Sequence, residues 1–280
     1  MKKICSFLLF FIFIVIPIFN YADQSKKVVL VLGSGGNKGL AHVGVIEELE
    51  NMGIVPDLIV GCSSGALIGA LYAQNQNIEE VKNILIDLKS DDLIDISLFQ
   101  EKAISTRKKL KKFMREHLVT KDFSSLEIPL IAVVTDLEKG TPVYLEEGEL
   151  HPALFASSAL PGLFPPYKMQ DKTYVDGGVS DPLPVLYAKS RGDYIVIASD
   201  ISSAIEAFKV EDLSSLLSKC LEIMYQRLAS FQKEEADILL EMNFDPDLDS
   251  PFEDNANQQF YEKGKEVVRN QSENILKLIK

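Results

Sequence analysis

The sequence predicts an α/β fold, on three observations. Short apolar runs recur at Val28 to Leu32, Leu58 to Val60, Ile128 to Thr135 and Tyr194 to Ala198, without the polar alternation of a half-exposed sheet, as strands buried on both faces require. The first two runs pass through glycine-bracketed turns directly into segments with helical spacing. With 280 residues, 46% of them hydrophobic, the chain can also bury the sizeable core that such a sheet needs. One domain is expected.

Met1-Lys2-Lys3 and the apolar run from Ile4 to Phe19 have the basic and apolar regions of an export signal, with Ala22 as a cleavage point. The run is long for a signal core and short of the ~20 residues of a spanning helix, so residues 1–22 read as a signal peptide or an N-terminal membrane anchor. Either reading sends the protein out of the cytoplasm of a bacterium: periplasmic, secreted or membrane-anchored. A net charge of -12 argues against nucleic acid as a partner and against simple electrostatic adsorption to anionic lipid. The three cysteines, Cys5, Cys62 and Cys220, have no metal-ligand spacing and form no disulfide framework. No metal and no cofactor is expected.

The first strand, Val28 to Leu32, runs into Gly33-Ser34-Gly35-Gly36-Asn37-Lys38-Gly39, after which Leu40, Val43, Val45, Ile46 and Leu49 continue as a helix. A dinucleotide fingerprint fails, because counting from Gly33 puts Lys38 where the third glycine belongs, and a Walker loop fails for want of Gly-Lys-Ser or Gly-Lys-Thr. What survives is an oxyanion hole: Gly35 and Gly36 offer backbone N–H groups, and Lys38 adds a positive charge near solvent. The second strand ends in Gly61-Cys62-Ser63-Ser64-Gly65, and Ala66, Leu67, Ile68, Ala70 and Leu71 continue as a helix. This is a nucleophile elbow, with Ser63 at the apex and Gly61 and Gly65 clearing room for the turn.

From Asn77 to Asp91 an amphipathic pattern predicts a packing helix, and Ser105 to Leu118 predicts a second one whose basic residues, from Arg107 to Arg115, either touch lipid headgroups or, as is usual for a charge run on a helix, form a solvated face. Ile128 to Asp136 is a buried strand, with Thr141 to Leu145 as a hairpin partner beyond Lys139-Gly140. The bend from Ala156 to Pro166 is either the lining of an acyl pocket or an ordinary packed loop. Tyr174-Val175-Asp176-Gly177-Gly178 ends a short strand in a carboxylate with two glycines behind it; Asp-Gly alone is also a common turn. A further parallel-type strand spans Tyr194 to Asp200, and Leu213 to Phe231 and Glu262 to Leu278 read as helical. Asp245 to Asp249 is an acidic loop; Ser250 and Ala256 stand where a calcium loop needs Gly and Glu.

The usual hydrolase order of Ser, acid and His cannot be met, because His42, His117 and His151 all precede Asp176 and no histidine follows it. A carboxylate must then serve the serine, and Asp176 is the candidate base of a Ser63-Asp176 dyad.

The glycine loop Gly33 to Gly39, the elbow Gly61 to Gly65 and Asp176-Gly177-Gly178 resemble, in this order, the three blocks of the patatin-like phospholipase family. The bend before Pro166 resembles that family's segment ahead of its aspartate, and the resemblance runs from about Val28 to Asp200. It implies a three-layer α/β fold with a central, mostly parallel sheet flanked by helices. It also implies metal-free acyl-ester hydrolysis by Ser63 and Asp176, with residues 28–200 as the catalytic domain and residues 201–280 as a helical extension packed on it. Substrates would be a phospholipid, a lysophospholipid or another acyl ester, met at a membrane surface. Many patatins have Gly at Ser34 and Arg at Lys38; the versions here resemble the bacterial branch related to neuropathy target esterase, which favours monoacyl esters. A lipid-binding module that keeps the fold without catalysis is the alternative.

Overall fold

The structure is a computed structural model and describes residues 26–97, 103–202, 213–244 and 256–280. The expected export segment and the acidic loop at Asp245 to Asp249 lie outside the described residues. In chain order the strands are β1 (Val28–Leu32), β2 (Leu58–Cys62), β3 (Leu130–Asp136), β4 (Thr141–Leu145), β5 (Tyr167–Met169), β6 (Lys172–Asp176), β7 (Ile195–Asp200) and β8 (Ile238–Glu241). The helices are α1 (Leu40–Asn51), α2 (Ser64–Ala73), α3 (Ile78–Leu85), α4 (Ser90–Leu93), α5 (Lys108–His117), α6 (Leu150–Ser157), α7 (Val185–Ser190), α8 (Leu213–Lys233), α9 (Asn257–Asn270) and α10 (Ser272–Ile279).

The strands form one sheet in the order β5-β6-β3-β2-β1-β7-β8, with β4 on the other edge of β3. Pairings among β8, β7, β1, β2 and β3 are parallel; those of β4, β5 and β6 are antiparallel. Side-chain alternation divides the core in two. Leu30 and Leu32 of β1, with Ile59 and Leu130, face a cluster that includes residues of α1, α2, α3, α5, α6 and α9. Val29 and Val31, with Val60, Ile131 and Val133, face a smaller cluster closed by Val185 and Ala188 of α7 and Ala229 of α8. Both faces of β1 are therefore apolar because both are covered, each fully buried Val or Leu contributing about 1.5–3 kcal/mol.

The segment after Asp200 is not helical throughout. It supplies β8, which pairs in parallel with β7 from Ile197↔Ile238 to Asp200↔Glu241. It also supplies α9, which crosses α1 so closely that a β-carbon at Gly44 would lie 2.0 Å from the Tyr261 carbonyl oxygen, and one at Gly264 2.0 Å from that of Ala41. The helix expected from Asn77 to Asp91 is interrupted after α3, whose N-cap is Asn77, accepting from the Glu80 N–H at 3.1 Å. The helix expected from Ser105 starts at Lys108, and Asp95 rather than Ser105 caps it, accepting from the Lys108 N–H at 3.0 Å.

Candidate active site

β1 and β2 are parallel neighbours, with Leu32 opposite Gly61, so the turns leaving them emerge side by side at one end of the sheet. After β2 the chain turns within a single residue. Ser63 holds φ 55° and ψ −118°, a backbone state that costs a non-glycine residue about 1–3 kcal/mol and persists only where its surroundings enforce it. Here they do. The Ser63 N–H donates to Ser157 Oγ at 3.0 Å, and its carbonyl accepts from the Ala66 and Leu67 N–H groups at 3.0 and 3.1 Å. Steric closure completes the hold: a β-carbon at Gly61 would lie 2.6 Å from Ala66 Cα, and one at Gly65 2.2 Å from the Leu32 carbonyl oxygen. The Ser63 side chain is left at the N-terminus of α2, where the helix dipole favours negative charge.

The register of β3 brings the acid to the serine. β2 pairs with β3 as far as Cys62↔Val133, while β6 pairs with it from Val134↔Asp176 onwards. β4 occupies Ala132 to Asp136 of β3, overlapping both, so β2 and β6 share the opposite edge and meet end to end there. Ser63, one residue beyond β2, consequently faces Asp176, the last residue of β6: Ser63 Oγ donates to Asp176 Oδ2 at 2.6 Å. The other carboxylate oxygen accepts from the Gly178 N–H at 2.8 Å, and the Asp176 N–H donates to the Ala159 carbonyl at 3.0 Å. Gly177 must be glycine for this junction, since a β-carbon would lie 2.3 Å from the Val133 carbonyl oxygen. Asp176 is fully buried, and burial pushes its carboxyl up to about 7 against the opposing pull of the Ser63 hydroxyl and the Gly178 N–H. A carboxylate tuned to neutrality and bonded to a hydroxyl is a competent general base.

In the glycine loop, the Gly33 N–H donates to the Ser199 carbonyl at 3.0 Å and the Ser34 N–H to that of Pro182 at 2.9 Å. No described residue accepts from the N–H of Gly35 or Gly36. A β-carbon at Gly35 would strike the Ile201 side chain at 2.5 Å; at Gly36, where φ is +59°, it would meet nothing within 4 Å. Gly39 fits against α2, with a β-carbon 2.8 Å from Ile68 Cδ1, and Gly178 sits under the ring of Tyr225, 2.7 Å from Cζ on the same measure.

Lys38 requires a correction. Its expected place near solvent is not what the fold provides: it is buried, its ammonium 3.8 Å from a Glu222 carboxylate oxygen and 6.0 Å from the centre of the Phe244 ring. His42 is buried and bridges the glycine loop to the end of β7. Its Nε2 donates to the Gly33 carbonyl at 2.9 Å and its Nδ1 accepts from Ser199 Oγ at 2.8 Å, a neutral bridge that burial enforces by lowering its pKa to about 4. His151 Nε2 bonds the Leu118 carbonyl at 2.9 Å, and His117 lies against Phe113.

Three contributors were not visible as such in the sequence. Ser157 and Ala159 hold the serine and the acid from one segment, but nothing in Ala156-Ser157-Ser158-Ala159 marks which serine bonds the elbow. Arg107 belongs to no solvated face: it is buried, donates to the Pro165 carbonyl at 2.5 Å and lies 5.4 and 5.3 Å from the Phe164 and Tyr167 rings. It pins the far end of the same proline-rich bend, and burial lowers its pKa to about 10. Among the described residues, no group of three or more His, Cys, Asp or Glu side chains is placed to hold a metal ion.

A family model described as patatin-like phospholipase matches residues 30–189, a span that contains the glycine loop, the elbow and Asp176. An uncharacterised NTE family protein of Mycobacterium tuberculosis is 35% identical over 166 residues, covering 58% of this chain and 46% of that protein. Lysophospholipase NTE1 of Scheffersomyces stipitis is 31% identical over 65% of this chain and 12% of its own length. Human patatin-like phospholipase domain-containing protein 6 is 30% identical over 64% of this chain and 14% of its own length. The matched region is thus less than half of each of these relatives. Among solved structures, the crystal structure of VipD from Legionella pneumophila superposes with a TM-score of 0.56 at 14% identity, covering 88% of this chain and 67% of that one; this likeness concerns the fold.

Proposed function

The chain belongs to the patatin-like phospholipase family, with named relatives in its NTE branch, and from that premise we propose that it is a serine lipid acyl hydrolase. The observation that carries the reading is the 2.6 Å hydrogen bond from Ser63 Oγ to a carboxylate poised near neutrality. Asp176 takes the hydroxyl proton as Ser63 Oγ attacks the acyl carbonyl carbon. The tetrahedral oxyanion is met by the N–H groups of Gly35 and Gly36 and by the dipole of α2. Collapse breaks the ester bond, and Asp176 returns its proton to the departing alcohol, leaving an acyl group on Ser63. Water then gives up a proton to Asp176, attacks the acyl carbon and releases the fatty acid, restoring the serine. Lys38, paired with Glu222, holds the loop from below instead of touching the intermediate.

The substrate class is a phospholipid, lysophospholipid or other acyl ester; the relatives named as NTE proteins and as a lysophospholipase support the monoacyl end of that range. Export to the periplasm or beyond, or retention as a membrane-anchored protein, is part of the same proposal and rests on the Met1 to Ala22 pattern. A fluorophosphonate probe tests the chemistry. Labelling of the wild type at Ser63, lost in Ser63→Ala and strongly slowed in Asp176→Asn, is the expected result. Folded wild-type protein that takes no label would instead identify a lipid-binding module without catalysis.

A further inference from the structure

Helix α8 has two opposed faces. The inward face carries Tyr225, Ala229 and Gln232, all buried, and it rests on the catalytic loops: Tyr225 occupies the space a side chain at Gly178 would need, and Glu222 reaches Lys38. The outward face carries Leu216, Leu217, Ile223, Met224 and Phe231, exposed by 46%, 49%, 37%, 45% and 79%. Counted from Leu216 these are positions i, i+1, i+7, i+8 and i+15, one stripe along the helix, and the exposed Cys220 falls within it at i+4. Elsewhere among the described residues large exposed apolar side chains are scattered, as at Val55, Val119 and Leu137, or paired, as at Ile96 and Ile104, while Leu186 lies beside the end of α8, its N–H donating to Gln232 Oε1 at 3.0 Å. A contiguous stripe on the helix that covers the catalytic loops is a different matter, since folded chains keep such surfaces for interactions.

We propose that this stripe docks on the surface of a zwitterionic phospholipid bilayer and so delivers the site to the lipid it hydrolyses; the inference rests on the lipid hydrolase reading above. Charge selects the occupant. In a chain of net charge -12, the only carboxylate between Leu213 and Lys233 is Glu222, which is turned inward to Lys38, while Lys233 at the helix end is held by Asp200 and Glu241. Arg227 is exposed and lies within the stripe, at i+11 from Leu216, so its stem can follow the apolar side chains into the interface while its guanidinium reaches lipid phosphate. A second copy of the chain would instead bring two strongly acidic bodies together. An interfacial helix of this kind lies in the headgroup plane, as expected where no described helix is long and apolar enough to cross a membrane.

The test uses the full chain with Cys5→Ser, labelled at Cys220 with an environment-sensitive fluorophore; Cys62 is buried and does not compete. With phosphatidylcholine vesicles the label should shift to the blue and be quenched by lipids carrying a quencher near the headgroup. A label at Val55→Cys in a chain that also carries Cys5→Ser and Cys220→Ser, before the opposite end of β2 from Ser63, should stay aqueous. In parallel, Leu217→Asp and Phe231→Asp should lower hydrolysis of vesicle-embedded lipid by roughly tenfold or more and leave turnover of a dissolved short-chain ester unchanged. The proposal is overturned if the Cys220 label stays aqueous on vesicles, if it shifts with protein concentration alone, or if both substrates lose turnover equally. A wild type that hydrolyses neither substrate would sink the proposed function, while the fluorescence would still decide whether the stripe docks.

Discussion

The two turns that leave β1 and β2 lie side by side yet are built on opposite principles. The elbow after β2 is closed on every side: Gly61 and Gly65 stand against backbone atoms, Ser63 is held off its preferred dihedrals by three hydrogen bonds, and its hydroxyl has one destination. The loop after β1 is anchored at its start, through Gly33, Ser34 and His42, and at its end, through buried Lys38 and Gly39, but it is open between them, so that Gly36 faces empty space and two N–H groups have no protein acceptor among the described residues. A nucleophile must be fixed before substrate arrives, whereas oxyanion donors must stay unspent until charge develops. The difference between the turns follows the difference between those tasks.

The largest expected effect removes the closed turn's chemistry. Ser63→Ala and Asp176→Asn should each cost about 10⁴-fold or more in kcat on a short-chain ester, with circular dichroism unchanged. A folded Asp176→Asn enzyme retaining a tenth of wild-type turnover would mean that another group is the base.

Next comes the open turn. Gly35→Ala and Gly36→Ala should each lower kcat by roughly 10²–10³, with KM little changed, because the donors act on the intermediate. The two should separate on rescue. Gly35→Ala collides with the Ile201 side chain at 2.5 Å, so adding Ile201→Ala should restore part of its activity; Gly36→Ala suffers from its φ of +59° and should not respond. A rise in KM at constant kcat would assign the loop to ground-state binding.

The pH profile sharpens the contrast, since the elbow's partner Asp176 is pushed up to about 7 whereas His42, which anchors the loop, is lowered to about 4. With the Asp176 carboxyl raised to about 7, kcat/KM should rise with pH through that region and level off above it. The same shift has an opposite sign for stability. The folded chain binds the proton more tightly than the unfolded one, so Asp176 weakens the fold progressively between about pH 4 and 7, by an amount on the order of 4 kcal/mol above that range. Asp176→Asn, whose amide can donate to Ser63 Oγ while its carbonyl accepts from Gly178, should therefore melt higher than wild type at pH 8 and approach it at pH 5.

The smallest effects lie outside both turns. Replacing His117 and His151 together by Ala should change kcat less than about threefold, and so should added chelator, because one ring packs on Phe113 and the other bonds a backbone carbonyl. Loss of activity in chelator, restored by calcium, would direct attention to Asp245 to Asp249.

Much of this was legible in the sequence for a simple reason: β1, β2 and β3 are buried on both faces, and the glycines that end β1 and β2 bracket turns that can be read in place, even though the atoms they make room for lie mostly in distant chain. Asp176 could be assigned because the histidines stand on the wrong side of it. What escaped depends on distant chain. Lys38 is buried because Glu222 and Phe244 close over it, and Arg107 because Phe164, Pro165 and Tyr167 do; neither fact is written in the local charge pattern. β8 is four residues long at the sheet edge, too short for alternation to declare itself. Ser157 is chosen over Ser158 only by the end of α6, where one hydroxyl points to the elbow and the other bonds back to the Leu154 carbonyl.

The end-to-end meeting of β2 and β6 on one edge of β3 also sets a timetable. Ser63 and Asp176 are separated by 113 positions, and they meet only once β2 and β6 have both docked on β3. During synthesis the Ser63 elbow waits for Ser157 to hold it and for Asp176 to accept from it, so both halves of the pair are completed late and together. On the proposed function, hydrolytic power arrives only with a contact that waits for most of the sheet, so a partly made copy has none.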